Sequence, residues 1–301
     1  MDSIGKNDST GLPNLEERKL REIEHSRQRR TVLQGYERHS DTDPEEEAAG
    51  LPNLNRDEEA FKRHFSNMKF YSIATSSEKF YQDWLRRRCP GAKALDYCCG
   101  NGENGVFAAR CGADTIGIDI SPEGVENARA NAIREGVEQN CRFEVMDGEA
   151  TTFPDDTFDV IVEYGALHHL DYEKAMAELR RIMKPDGEMI CIEALRHNPF
   201  IHLYRKLTPH LRTEWEVQHI LTVNHLKRAE QFFGEVHVRF FHLAVLAAVP
   251  FRKMRIFKPL RAMLEAVDNA ILTSPFIGKY AWIMVFTLRK PRKPAPVATE
   301  G

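Results

Sequence analysis

The segment Ala94-Leu95-Asp96-Tyr97-Cys98-Cys99-Gly100-Asn101-Gly102-Glu103 constrains the fold of this chain more than any other. Residues 92–97 alternate small and apolar side chains and run directly into glycines, as a buried parallel strand does when it meets a tight turn before a helix. Gly100 and Gly102 admit positive φ and leave no Cβ over the turn, and a helix is expected over 104–110. The unit then repeats. Asp114 to Asp119 reads as a second apolar strand ending in an acid, Ser121 as an N-cap, and Glu123 to Glu135 as the next helix.

A glycine turn followed by an acid at the tip of the next strand describes a nucleotide site, because the Asp119 carboxylate can accept both hydroxyls of a ribose. Gly100, Gly102 and Gly105 also satisfy the Gly-x-Gly-x-x-Gly spacing of dinucleotide enzymes, a pattern that is weak alone. Charge separates the two readings. Asp96 and Glu103 beside the turn would repel a pyrophosphate and hold a ligand bearing an ammonium and a sulfonium, which favours S-adenosylmethionine.

With these residues the chain resembles the class I S-adenosylmethionine-dependent methyltransferases, in the broad group that includes ubiquinone and menaquinone biosynthesis enzymes. Asp96-x-x-x-Gly100-x-Gly102 is similar to the family's first motif. The resemblance implies that Asp96, Gly100, Asn101 and Gly102 hold the methionine portion, that Asp119 takes the ribose, and that Ile120 packs on adenine. Arg142 to Glu149 looks like the third strand and its acid, placing Asp147 and Gly148 at the adenine amino group. Phe158 to His169 resembles the fourth strand, with Glu163, and the loop bordering the transferred methyl. Leu179 to Glu188 is similar to the helix end and turn before the fifth strand. These five motifs stand in order across about 92–193. Two departures stand out: Tyr97-Cys98-Cys99 fills positions often held by small residues or Gly, and the loop after the fourth strand lacks an Asp/Asn-Pro-Pro-aromatic sequence. The second departure argues against adenine in nucleic acid and peptide glutamine as acceptors.

Residues 1–55 form a charged extension, expected to be disordered or partly helical, in which Gly11-Leu12-Pro13-Asn14-Leu15 recurs as Gly50-Leu51-Pro52-Asn53-Leu54. Glu16 to Arg38 reads as a charged helix with sparse apolar residues, so a solvated helix is favoured over a partner-binding one. Neither a secretory signal nor a transit peptide fits. Residues 56–91 turn amphipathic, from Phe61 and Phe65 through Phe70 to Trp84. In the resembling family such helices close over the cofactor as a lid, which makes Tyr71 and Tyr81 candidates for ligand contact; core packing is the plainer reading of both.

Residues 92–195 are expected to form the cofactor-binding core, 196–290 a C-terminal cap with closing strands at 235–241 and 280–288, and 291–301 a basic tail. The apolar runs His242 to Phe251 and Pro259 to Leu272 are too short to span a bilayer, which needs ~20 apolar residues, and read as a helical cap. The neighbouring cations would suit an anionic membrane surface, although packing on the sheet or a dimer interface explains the runs more simply. A net charge of −3 argues against general nucleic-acid binding, and six cysteines without scaffold spacing read as reduced and cytoplasmic.

Methyl transfer from a sulfonium is an in-line displacement that mainly requires positioning and exclusion of water. A hydroxyl or acidic carbon acceptor also needs a base, and His168 and His169 stand in the substrate-facing loop with imidazoles suited to it. Structural or capping roles compete for both. Tyr204, Arg205 and Arg212 either orient an anionic substrate or pair with acids such as Glu214 and Glu216. The histidines at 197, 202, 210, 219 and 225 raise metal binding, but no zinc spacing appears, and no metal is expected.

The expectation is therefore an α/β fold: a seven-stranded, doubly wound Rossmann-like methyltransferase sheet with a helical N-terminal lid and a C-terminal cap insertion. Its activity would be methylation of a small, lipophilic molecule on oxygen or carbon. A Rossmann NAD(P)-binding oxidoreductase and a non-catalytic cofactor-binding scaffold are the alternatives.

Overall fold

In the computed structural model, residues 15–37 and 67–293 are described. The Gly-Leu-Pro-Asn-Leu repeat apart from Leu15, the first part of the amphipathic lid with Phe61 and Phe65, and the tail after Lys293 lie outside the described residues.

Strand β1 (Lys93–Tyr97) occupies the middle of the sheet, as its run of buried residues requires. It pairs in parallel with β2 (Asp114–Asp119) on one side and with β4 (Phe158–Tyr164) on the other; β3 (Cys141–Val145) lies outside β2. Beyond β4 come β5 (Met183–Ala194), β7 (Ile283–Pro291) and β6 (Phe233–Phe241), giving the order β3-β2-β1-β4-β5-β7-β6. β7 runs antiparallel to both its neighbours. The fold is the expected seven-stranded α/β sheet. Strand order reverses between β1 and β4, so their carboxyl ends open a crevice at the switch point.

Consecutive residues of a strand face opposite sides, and the core divides accordingly. Met189 and Cys191 of β5 and Met284 and Phe286 of β7 pack with the helix Tyr172–Ile182. Ile190, Ile192 and Val285 pack with Tyr81, Trp84 and Leu85 of the helix Thr75–Arg88. These two helices, the two that follow β1 and β2, and the N-terminal helix Glu17–Glu37 are labelled in chain order: α1 (Glu17–Glu37), α2 (Thr75–Arg88), α3 (Glu103–Arg110), α4 (Pro122–Arg134) and α5 (Tyr172–Ile182). Ser121 caps α4 by accepting from Gly124 N at 3.2 Å, as its position predicts.

The cap elements after β5 are α6 (Pro199–Leu207), α7 (Glu214–His219), α8 (Val223–Ala229), a 3₁₀ segment Ala244–Phe251, α9 (Phe257–Ile271) and the short α10 (Pro275–Gly278). Among the described residues no helix is long and apolar enough to cross a membrane.

Helix α1 differs from the solvated helix that its composition suggests. Ile23 and Lys19 are buried, and the helix lies across the carboxyl end of the sheet through ion pairs: Arg18 to Glu149 at 2.7 Å, Lys19 to Asp147 at 2.5 Å and Arg27 to Glu123 at 2.6 Å. Sparse apolar spacing misses this docking because charge, not apolar area, attaches the helix.

Candidate cofactor and acceptor site

The turn after β1 is built on positive φ at Cys98 (57°), Gly100 (58°) and Gly102 (81°). Gly102 has a second reason to lack a side chain: a Cβ there would stand 2.7 Å from Ala128 Cβ and from the Phe143 ring. At Gly100 the added Cβ would meet nothing within 4 Å among the described residues, so the backbone faces the space above it. Cys98 adopts a conformation unfavourable for a non-glycine residue, at the position noted above as a departure.

Above this turn lies a cavity of about 360 Å³. Its floor is Cys98, Gly100 and Asn101; one wall carries Asp119, Ile120, Asp147 and Gly148; Tyr164, Gly165, Ala166 and His169 form the next; and α1 closes the top. Asp119 ties the two strand tips together, accepting from Gly100 N at 2.9 Å and Ser121 N at 2.8 Å. Burial raises its pKa, and the two backbone donors and the Arg30 charge oppose that rise. Asp147 accepts from Glu149 N at 3.0 Å while its other oxygen meets Lys19. The residues expected to contact the cofactor thus converge for Gly100, Asn101, Asp119, Ile120, Asp147 and Gly148. Gly102 belongs to the turn without lining the cavity.

Four residues considered for ligand contact are placed elsewhere. Asp96 is buried beneath the turn and accepts from Gly105 N at 2.7 Å; burial first, then Glu103 and Asp119, push it up to about 8. Glu163 is fully buried and accepts from the backbone N–H groups of Ala166 and Leu167, so it shapes the loop after β4 from below. Tyr71 lines a second cavity, and Tyr81 is core, its ring edge-on to Tyr164 at 5.6 Å.

The adjacent histidines of the 3₁₀ turn Leu167–His169 have ring centroids 4.3 Å apart but line different cavities. His169 faces the first cavity and pairs with Glu22 of α1 at 2.9 Å. Burial works against its charged form, but Glu22 and the other nearby carboxylates outweigh it and raise its pKa. His168 faces the second cavity, of about 120 Å³, with Phe70, Tyr71, Tyr204, Arg205, Arg212 and Trp282 among its walls. Its Nδ1 lies 2.7 Å from Glu193 at the end of β5. Burial raises the pKa of Glu193, yet His168 holds it below the ordinary value, whereas burial and the Glu193 charge drive Glu163 well above it. Among the described residues Glu163 Oε2 and Glu193 Oε1 otherwise have no hydrogen-bond partner, and a proton on Glu163 shared with Glu193 satisfies both. The ionised Glu193 then accepts Nδ1–H of His168, which fixes the tautomer and leaves Nε2 for the cavity.

Glu193 and the α1 residues Arg18, Lys19, Glu22, His25 and Arg30 are functional candidates that the sequence reading missed. A signal for Glu193 was present: an acid in the apolar run Met189 to Ala194, on the strand paired with the one carrying Glu163. For α1 none was.

Residues 94–187 match a family model described as a methyltransferase domain. This core is a class I S-adenosylmethionine-dependent methyltransferase domain. Sequence relatives match over segments of similar length. An uncharacterized methyltransferase, YcgJ of Bacillus subtilis, is 36% identical over 102 residues, covering 34% of this chain and 40% of that protein. Its crystal structure aligns with 69% of this chain and 96% of that one, at 20% identity and a TM-score of 0.41. The ribosomal protein L11 methyltransferase of Burkholderia cenocepacia is 43% identical over 109 residues, 36% of this chain and 34% of that protein. The ubiquinone/menaquinone biosynthesis C-methyltransferase UbiE of Rickettsia massiliae is 31% identical over 124 residues, 38% and 50% respectively. The chain thus spans about a third to a half of these relatives' lengths. The methyltransferase match decides the cofactor question that glycine spacing left open, in favour of S-adenosylmethionine over a dinucleotide.

The chemistry of the first cavity suits that cofactor: open space over a bare glycine turn, a carboxylate at the tip of β2 that a ribose would meet, Ile120 next to it in sequence, and a second carboxylate, Asp147, one oxygen of which meets Lys19.

Proposed function

We propose that the chain methylates a small molecule on oxygen or acidic carbon, with His168 as the base. When bound, S-adenosylmethionine supplies a methyl group activated on a sulfonium. Gly100 and Asn101 would hold its methionine portion, Asp119 its ribose, and Ile120 and Asp147 its adenine. The acceptor would lie in the second cavity, its apolar body against Phe70, Tyr71 and Trp282. His168 Nε2 takes the proton from the acceptor hydroxyl or carbon, and Glu193 stabilises the imidazolium through Nδ1–H. The Glu163–Glu193 pair keeps one negative charge beneath His168, and Glu163 holds the Ala166 and Leu167 amides that shape the turn between the cavities. Burying Arg205 beside Arg212 lowers its pKa to about 10, which supports an acceptor carrying an anionic group as well as an apolar body.

The observation that carries this reading is the His168–Glu193 pair, in which His168 lines the second cavity while the next residue, His169, lines the first, their ring centroids 4.3 Å apart. Calorimetric titration with S-adenosylhomocysteine and with NADH tests the cofactor: heat with NADH alone would overturn the reading. Metabolite extracts incubated with isotopically methyl-labelled donor test the acceptor. Label should appear in a small molecule with wild type and be lost in Asp119→Ala; unchanged cellular function of that variant would favour a non-catalytic scaffold.

A further inference from the structure

Of the fifteen large apolar side chains exposed among the described residues, eleven fall within 199–207 and 251–280. On α6 they are Phe200, Leu203 and Leu207, spaced three and four apart along one stripe, while Ile201 faces inward. On α9 and just before it, Ile256, Met263 and Val267 form a second stripe, beside the buried side that carries Leu260 and Leu264. Both elements pack on one core with Val245, Val249 and Trp282, so their exposed stripes belong to one cap unit. Asn198, at the start of α6, donates to Tyr280 O at 2.8 Å and ties α6 to the segment just after α10, the helix in which Phe276 is 80% exposed.

Charge identifies the partner. The run Phe251-Arg252-Lys253-Met254-Arg255-Ile256-Phe257-Lys258 interleaves four cations with apolar residues and contains no acid. The two acids that follow in α9 are engaged: Asp268 is buried, accepting from Leu243, Ala244 and Val245 N–H, and Glu265 pairs with Arg261 at 3.7 Å. A two-fold copy on this face would set such a run against its like. An anionic lipid surface meets both features, taking the apolar side chains into the acyl boundary and the cations among its headgroups.

We propose that this cap face docks on anionic membranes, with α6, α10 and the 251–258 run as its contacts. The docking rests on the surface alone; its consequence for catalysis rests on the acceptor assignment above. Tyr204 and Arg205, on the same helix as the docked stripe, line the second cavity, so the acceptor site would open near the lipid.

The test is co-sedimentation of the full chain with vesicles of phosphatidylcholine alone and of phosphatidylcholine with phosphatidylglycerol. Binding is expected only to the second and should weaken with added salt. Each Lys or Arg near such a surface contributes about 1 kcal/mol, roughly fivefold, so the combined Arg252→Gln, Lys253→Gln, Arg255→Gln and Lys258→Gln variant should lose about 100-fold or more in partitioning. The combined Leu203→Ser, Leu207→Ser and Phe276→Ser variant, all at exposed positions, should also lose binding while keeping the wild-type circular dichroism spectrum. Absence of vesicle binding would overturn the proposal. Equal binding to both vesicles would do the same, as would a solution dimer dissolved by the apolar variant.

Discussion

Replacing Asp96 by Asn should make the cofactor-free protein more stable. Asp96 is 1% exposed, and its carboxyl has moved from the usual 3.8 up to about 8, first through burial and then through Glu103 and Asp119. At pH 7 the folded chain therefore keeps this proton while the unfolded chain releases it. A group whose folded pKa is raised stabilises fully below the unfolded pKa and loses that contribution as pH climbs towards the folded value; here the window runs from about 4 to about 8. At 1.36 kcal/mol per pH unit the loss at pH 7 is on the order of 4 kcal/mol. Asn has the same shape, its carbonyl can still accept from Gly105 N, and it has no charge to bury. The variant should gain roughly 1–4 kcal/mol at pH 7, seen as several degrees in melting temperature, and the gain should shrink to nothing near pH 4. Thermal melts of both proteins across pH 4–8 provide the comparison. A variant less stable than wild type at pH 8, or a difference constant with pH, would refute the reasoning. If the carboxylate also serves the cofactor's ammonium, the same variant binds S-adenosylhomocysteine more weakly while melting higher.

Four other variants probe three separate parts of the structure. His168→Ala and Glu193→Gln should lower turnover by about 10²- to 10⁴-fold while leaving the S-adenosylhomocysteine dissociation constant within about twofold, as single-turnover rates and calorimetry would show. Deleting residues 1–37 removes the α1 wall of the first cavity and should speed S-adenosylhomocysteine release at least ~10-fold in stopped flow; an unchanged rate would mean that α1 does not retain the cofactor. Buried His242, bonded to Ser77 Oγ at 2.8 Å, is pushed by burial down to about 3, so it folds neutral and its contribution is lost as pH falls below about 6.5 towards 3. His242→Asn, which suits the positive φ of 66° there, should flatten the stability profile between pH 6.5 and 4, as urea titrations at several pH values would reveal.

The parallel half of the sheet was legible because its signals are local. Apolar runs, glycines and terminal acids of β1 and β2 specify strand, turn and helix within a few residues, and five of the residues expected at the cofactor sit with Asp119 around one cavity. What escaped depends on distance along the chain. Asp96 and Glu163 stand where strands end, but whether such an acid faces the ligand or the backbone beneath it is set by turns nine and three residues away, at Gly105 and Ala166. Tyr71 has the right chemistry but is carried to the neighbouring cavity by the helical turn Met68–Ile73, packed against Trp282 from the end of the chain. Separating His168 from His169 likewise needs their partners, Glu193 and Glu22, which lie 25 and 147 residues away.

Because α1 is fastened by Arg18, Lys19, Glu22 and Arg27 to Glu149, Asp147, His169 and Glu123, with Ile23 its buried apolar side chain, it behaves as an electrostatic latch. Mobile ions weaken such a fastening, most of all at its exposed pairs, but leave the apolar sheet beneath it tight. Nucleoside exchange should accordingly respond to ionic strength far more steeply than does unfolding, uncoupling how readily this molecule opens from how durably it stays folded.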